Sequence, residues 1–263
     1  MKKFLKPSWL SVIFLIELPA FLLIELVTGG RRVLENAYVL LVPAIFYYLV
    51  ACGIMSAHRR GKSLGNVWKL LGIAAGLAMV DQGTKVIILN SLPEGERLVL
   101  IPGSLNLAHV QNWYGPWLFQ QLGWASPGNW VLSVIFILVG LVCLAAHSYY
   151  TAEGRKSLLA DLAMAFTLSS FVSGFIDIGI RGFTLDFLDL PGYVVADLKD
   201  VLVWFGVACL LAEMLDSPEG YWKMGMGDFL RAIGRMMRYI FKRVVEAIFS
   251  QSGILLRRNE RSG

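Results

Sequence analysis

The sequence predicts an all-α polytopic membrane protein with six transmembrane helices and a small extracytoplasmic β element. Three observations predict it. The 263 residues are 56% hydrophobic and only 16% charged, with a mean hydropathy of +0.61, well beyond the apolar content of soluble domains. Apolar runs of about 20 residues, the length that crosses a bilayer as a helix, recur along the chain. The basic residues between those runs fall mostly on alternate connections.

In chain order the runs cover roughly 9–28, 37–57, 67–90, 130–149, 158–178 and 196–214. The first has no small-residue cleavage site and is long enough to remain as a helix, so it is not read as a removed signal peptide. Glu17, near its middle, is costly in lipid and is expected to face other helices. Lys2, Lys3 and Lys6 precede the first span, and His58, Arg59, Arg60 and Lys62 follow the second. Arg155 and Lys156 separate the fourth from the fifth, and a basic tail follows the sixth. With alternating spans these share one side, which places both termini in the cytoplasm; Arg31 and Arg32 count the other way, partly balanced by Glu35. In the third span, Gly72 and Gly76 form a GxxxG, expected to mark a close helix contact.

Between spans three and four, the segment 97–110 reads as short strands around a Pro102-Gly103 turn, a small sheet on the outer membrane surface. Trp113, Trp117, Trp124 and Trp130 fit an aromatic belt there. From Asp228 onward, apolar residues recur at helical spacing with Arg231, Arg235, Arg238, Lys242 and Arg243 largely between them. That is a basic amphipathic helix suited to the inner leaflet. The chain thus divides into an N-terminal pair of spans (1–65), a core (66–215) and a basic cytoplasmic tail (216–263).

Carboxylates and lysines inside or beside these spans carry the candidate chemistry, because charge near lipid usually has a functional reason. Asp81 and Lys85 are four apart on the third span and can pair on one face. Asp177 and Arg181 repeat that spacing at the end of the fifth. Asp186 lies in the loop that follows, and Asp197 opens the sixth span. Two carboxylates held close cannot both ionise: one keeps its proton as an acid while the other acts as a base toward water. Asp189 and Asp200 are rival members of such a pair. Cys52, Cys143 and Cys209 sit in apolar runs and form no CxxC, and His58, His109 and His147 form no HExxH. A metal site, a disulfide or another cofactor is therefore not expected.

Taken together, these motifs resemble signal peptidase II, the bacterial lipoprotein signal peptidase, over residues 66–215. Asp81-Gln82-Gly83-Thr84-Lys85 is similar to that family's first motif. The segment 101–112 resembles its strand region, ending in the motif asparagine, here Asn112, and Trp113-Tyr114-Gly115-Pro116-Trp117 is an approximate match to its Gly-Ala-Ala-Phe stretch. Ser173 to Ile178 stands at its Gly-Asn-x-x-Asp-Arg motif and retains Asp177. Leu185-Asp186-Phe187 resembles Val-Asp-Phe, and Val194-Val195-Ala196-Asp197 resembles Asn-x-Ala-Asp. The resemblance implies an aspartyl endopeptidase of the inner membrane with its site near the outer leaflet. It implies Asp186 and Asp197 as the catalytic dyad, Asp81, Lys85 and Asn112 shaping the cavity, and Asp177 with Arg181 bracing the loop. Its partners would be a lipid-modified prolipoprotein and membrane lipids, with no nucleic acid and no metal. Gly174, Ile178 and Val194 depart from the pattern where polar residues are expected. An inactive relative that binds lipoproteins or lipids is the alternative those departures favour.

Overall fold

The structure, a computed structural model, describes residues 9–27, 37–61, 63–113, 128–216 and 225–259. A 3-10 segment, Trp9–Leu15, leads into α1 (Glu17–Val27), and a second, Ala37–Leu40, into α2 (Leu41–His58). Then come α3 (Val67–Ser91), β1 (Arg97–Ile101), β2 (Leu105–Asn112) and α4 (Asn129–Ala152). α5 (Leu158–Phe175) widens into a π-helical segment, Ile176–Arg181. β3 (Thr184–Leu190), β4 (Val194–Ala196), α6 (Leu198–Asp216) and the tail helix α7 (Met226–Asn259) complete the described chain.

Among the described residues, four helices are long and apolar enough to cross a membrane: Tyr38–His58, Val67–Ser91, Asn129–Ala152 and Leu158–Arg181. The first predicted run is not one continuous α-helix, because 3-10 geometry gives way to α at Ile16. Pro19 explains the restart: it has no N–H to donate and is tolerated only in the first turn of a helix. Where α3 and α5 start, a side chain satisfies an orphan backbone N–H. Asn66 accepts from Trp68 N at 2.8 Å and Ser157 from Leu159 N at 3.2 Å.

Polar contacts sort the helix ends into two groups. At one end, His58 of α2 lies 2.9 Å from Asp216 of α6. Asp161 of α5 accepts from Leu64 N, just ahead of α3, at 2.7 Å and lies 2.9 Å from His147 of α4. Glu213 of α6 accepts from Tyr150 of α4 at 2.6 Å and from Ser157. The opposite end gathers the C-terminus of α3, the sheet, the π-helical segment and the starts of α4 and α6. There Asn129 Nδ2 donates to Gly182 O at 2.7 Å. Neighbouring helices of the core therefore run antiparallel, with the sheet at the end away from His58–Arg60, Arg155 and Lys156.

α5 is central and packs on α3, α4 and α6. Its buried residues include the small Ala163, Ala165, Ser169, Ser170 and Ser173, and Ala163 packs with Ala208, Cys209 and Ala212 of α6, small residues that let backbones approach closely. At Gly206 a Cβ would stand 2.4 Å from Thr167 Oγ1 and 3.2 Å from Ala163 O. The predicted contact at Gly72 and Gly76 is not made among the described residues, none of which lies within 4 Å of a Cβ at either; the close approach there belongs to α5 and α6 instead. The N-terminal segment joins the core through Leu10, Phe14, Tyr47 and Phe205, and Glu17 hydrogen-bonds Tyr47 of α2, facing a helix as expected.

The strands form one antiparallel sheet in the order β1-β2-β3-β4. The sequence reading expects a loop where β3 and β4 lie. The strands form because Leu185 and Phe187 alternate with Asp186 and bury one face against Ile88 of α3. Pro191-Gly192 then supplies a tight turn, with Gly192 at φ +80° and Tyr193 N donating to Leu190 O at 2.9 Å. The predicted Pro102-Gly103 turn has the same form, with Ser104 N donating to Ile101 O at 3.0 Å.

α7 begins close to where the sequence places it. Tyr239 stacks near Tyr149 at 5.5 Å and its hydroxyl lies 3.3 Å from Ser148, so the tail touches α4 at the basic end. Met226, Leu230, Met237 and Phe241 are exposed along it. Trp113 and Trp130 are exposed too; Lys2, Lys3, Lys6, Arg31, Arg32, Glu35, Lys62, Trp117, Trp124 and the stretch Tyr114–Trp117 lie outside the described residues.

Candidate active site

The site sits where three elements end together: the upper half of α3, the π-helical end of α5, and the junction of β4 with α6. The helical spacing of Asp81 and Lys85 places both on the face of α3 that meets α5, and each is fully buried. Lys85 does not reach outward to water. Its Nζ lies 2.9 Å from Asp81 Oδ2, 2.5 Å from Asp177 Oδ2 and 2.5 Å from Asp197 Oδ2. One ammonium thus draws together carboxylates from three elements, which offsets the cost of burying them.

Asp177 takes charge on both oxygens. Oδ1 accepts from Arg181 at 2.7 Å and from Gln82 at 3.0 Å, while Arg181 also donates to Gln82 Oε1 at 3.0 Å. Gln82 completes the ring with Asp81 Oδ2 at 3.1 Å. The π-helical turn has a local cause and effect: Gly182, at φ +88°, returns its N–H to Asp177 O at 2.8 Å. A wider turn of this kind re-aims side chains and is frequent at functional sites.

Asp197 is the N-cap of α6. Its Oδ1 accepts from Asp200 N at 3.1 Å, and Asp200 Oδ2 accepts from Asp197 N at 3.2 Å, a reciprocal capping box. Asp200 therefore has a structural task at the third helical position. Asp197 Oδ2 meets a second ammonium, Lys199, at 2.5 Å. In sequence, Lys199 is given no role beyond a possible pairing with Asp197. The signal it leaves there is a cation in the first turn of a helix, where the helix dipole disfavours positive charge.

Asp186 approaches from the sheet. Period two puts Asp186 and Asp189 on opposite faces of β3. Asp189 turns away to Asn106 at 2.8 Å and Arg97 at 3.1 Å, which removes it as a rival. Asn112 lies diagonally across the β2–β3 register from Asp186 and donates to its Oδ2 at 3.0 Å. Burial pushes Asp186 up to about 7, with neighbouring Asp197 and Asp200 adding to the rise and Lys199 and Asn112 opposing it. Carboxylate oxygens of Asp186, Asp197 and Asp200 lie within 4.8 Å of one another. That separation is one a single water with two hydrogen bonds can bridge.

All the residues singled out in sequence, Asp81, Lys85, Asn112, Asp177, Arg181, Asp186 and Asp197, thus converge on one end of the helix bundle. Among the described residues, two carboxylate triplets have the spacing of a cation site, Asp81/Asp177/Asp197 and Asp186/Asp197/Asp200. In the first, Lys85 Nζ touches all three members and stands where a cation would.

Three positions near the network carry no side-chain hydrogen-bonding group. At Gly174 a Cβ would meet the Phe136 ring at 3.0 Å, so an aromatic ring fills that space. Ile178 is buried. Val194 lines an apolar cavity of about 620 Å³ between α1, α2, the sheet and α6, together with Phe46, Tyr47, Leu188, Asp200 and Trp204. Leu188 lies two residues beyond Asp186 on the same strand face, so the cavity opens beside the carboxylate pair.

Comparison with known proteins converges on one group. A family model described as signal peptidase (SPase) II matches residues 73–216. A lipoprotein signal peptidase of Brevibacillus brevis is 30% identical over 157 residues, covering 58% of this chain and 99% of that protein. One from Bifidobacterium longum (strain DJO10A) is 30% identical, covering 61% and 86%. One from a Synechococcus species is 35% identical, covering 56% and 94%. Among solved structures, a bacterial membrane enzyme is similar at a TM-score of 0.47 and 22% identity, over 57% of this chain and 95% of that one.

Proposed function

The chain belongs to the signal peptidase II family, and on that premise we propose that it is an intramembrane aspartyl endopeptidase that cleaves signal peptides from lipid-modified prolipoproteins. The observation that carries this reading is the approach of Asp186 and Asp197 to within one water's span. Asp197, held by two ammonium groups, is the base that takes a proton from water as the oxygen attacks the scissile carbonyl carbon. Asp186, protonated near neutral pH because it is buried, donates to the carbonyl oxygen. A proton then passes to the departing amide nitrogen and the C–N bond breaks, giving a carboxylate and an amine. Asp81, Lys85, Asn112, Asp177 and Arg181 support the pair. The apolar cavity beside Asp186 suits the acyl part of such a substrate.

The same reading extends to the whole chain. We propose six spans, with 1–65 as an N-terminal pair, 66–215 as the peptidase core and 216–263 as a basic cytoplasmic tail. Both termini are cytoplasmic and the site lies near the outer leaflet of the bacterial inner membrane. The sheet and the basic residues at opposite bundle ends support this, as does α6, whose 19 residues span about 28 Å.

One observation favours a second reading, a catalytically inactive relative that binds lipoproteins or lipids: Asp197 gives one oxygen to two lysines and the other to a helix cap. Substitution separates the two. Asparagine keeps a good N-cap but cannot accept the proton. Asp186→Asn and Asp197→Asn should each lower precursor processing by purified protein at least about 100-fold. Retained processing in both variants sinks the dyad mechanism. Binding of precursor without cleavage by the native chain establishes the second reading.

A further inference from the structure

We propose that Lys199 is a positioning residue that fixes the polarity of the dyad, making Asp197 the anionic base and Asp186 the protonated acid. The inference rests on the dyad reading above and deepens it.

The geometry carries it. Lys199 is nearly buried, at 12% side-chain exposure, and its Nζ lies 2.5 Å from Asp197 Oδ2, 3.6 Å from Asp200 Oδ1 and 3.9 Å from Asp177 Oδ2. Lys85 Nζ reaches the same Oδ2 at 2.5 Å from the other side. Two ammonium groups that share one oxygen repel each other strongly in a poorly solvated site. Only a full negative charge on Asp197 makes that arrangement favourable, because a neutral carboxylic acid would leave two facing cations with little between them. No comparable ammonium contact is formed by Asp186 among the described residues; its hydrogen-bond partner there is the neutral amide of Asn112. The asymmetry of the pair therefore follows from where the cations sit.

The groups around Lys199 come from every element packed on it. Asp197 and Asp200 share its helix, Asp177 faces it from the end of α5, Asp186 from β3, and Lys85 and Asp81 from α3. Arg181 acts one step removed, through Asp177. Asp81, Asp177, Asp186, Asp197 and Asp200 then face Lys85, Lys199 and Arg181, five carboxyls against three cations, so a neutral cluster needs two protonated carboxyls. Ser170 Oγ donates to Lys199 O at 2.8 Å, which ties the first turn of α6 to α5 and holds the side chain in register. Lys199 also stands in the first turn of its helix, an unfavourable place for a cation unless carboxylates surround it.

The test is the pH profile of kcat/KM for precursor cleavage by purified full-length chain, read for Lys199→Met, Lys199→Gln and Lys199→Arg. With one of its two cations gone, Asp197 should need a higher pH to ionise, so the acid limb should rise by about 1–3 pH units in the two neutral variants. KM should change less than kcat. Lys199→Arg should restore the wild-type limb. An unmoved limb in either neutral variant that keeps the wild-type melting transition overturns the proposal, and so does an arginine variant that shifts as far as methionine. If neither neutral variant folds, difference infrared titration of wild type against Asp197→Asn decides. A protonated-carboxyl band from Asp197 near neutral pH overturns the proposal; its appearance only in strong acid supports it. The dyad reading fails separately, if Asp197→Asn still cleaves precursor; an inactive Asp197→Asn with an unmoved Lys199→Met limb removes Lys199 alone.

Discussion

A carboxyl that keeps its proton near neutral pH leaves two marks that can be measured. Asp186 is raised to about 7 by burial. Cleavage that depends on its proton should therefore fall as pH rises past about 7, giving the basic limb of the rate profile. Stability follows with a definite sign. The unfolded chain releases this proton near pH 4 while the folded chain holds it to about 7, so stability is lost as pH rises between those values. Asp186→Asn removes that loss. The variant should be more stable than wild type by roughly 4 kcal/mol at pH 8 and by little at pH 4, measured by unfolding in one detergent at both pH values. A stability difference from wild type that is the same at both pH values would rule out the raised carboxyl. At this scale much of the site is legible in sequence: i,i+4 spacing marks Asp81 with Lys85 and Asp177 with Arg181, and charge beside lipid marks Asp186 and Asp197. What spacing cannot show is that Lys85 joins three carboxylates from separate elements, or that Lys199 shares an oxygen with it.

Helices and strands divide differently between what is readable and what is not. Hydropathy locates α2 to α5 closely, because each apolar run forms its own hydrogen bonds and needs no partner to be seen. β3 and β4 are hidden by the opposite property. Their alternation, Leu185-Asp186-Phe187, is short, and the strand it pairs with comes far earlier, Gln111 opposite Leu185 and Val110 opposite Asp186. The Pro191-Gly192 turn is the same signal as Pro102-Gly103, yet it sits between two spans where a loop is the simpler reading. The close α5–α6 contact is also hidden, since Gly206 has no GxxxG partner, whereas the Gly72/Gly76 motif meets open space. Packing explains one departure from the family pattern. An asparagine at position 174 would collide with Phe136, 3.0 Å from a Cβ there. Gly174→Asn alone should destabilise by about 1–3 kcal/mol. Combined with Phe136→Ala it should cost less than the sum of the single changes, a coupling read from a double-mutant cycle. Additive losses would show that the ring does not exclude the side chain.

Across the whole molecule, polarity is arranged by end. Basic residues and the tail helix gather at one end of the bundle and the carboxylate cluster at the other, as the alternation of basic connections implies. The proposed six spans with cytoplasmic termini make a direct forecast. Reporter fusions after residues 62, 155 and 224 should report the cytoplasm, and fusions near residues 32 and 95 the exterior; a fusion at 32 that reads cytoplasmic would remove the N-terminal pair from the topology. The sheet that carries Asp186 has a consequence in time. β1 and β2 leave the ribosome as a hairpin whose outer edge has no partner, and an open edge invites wrong pairing. Its partner strand arrives only after α4 and α5 have been made, and Asp197 later still. Neither the edge nor the carboxylate pair can close while synthesis is in progress through those helices. A nascent chain halted before residue 184 therefore contains most of the membrane-embedded mass but neither Asp186 nor Asp197, so on the dyad reading it cannot cut its surroundings before it is nearly finished.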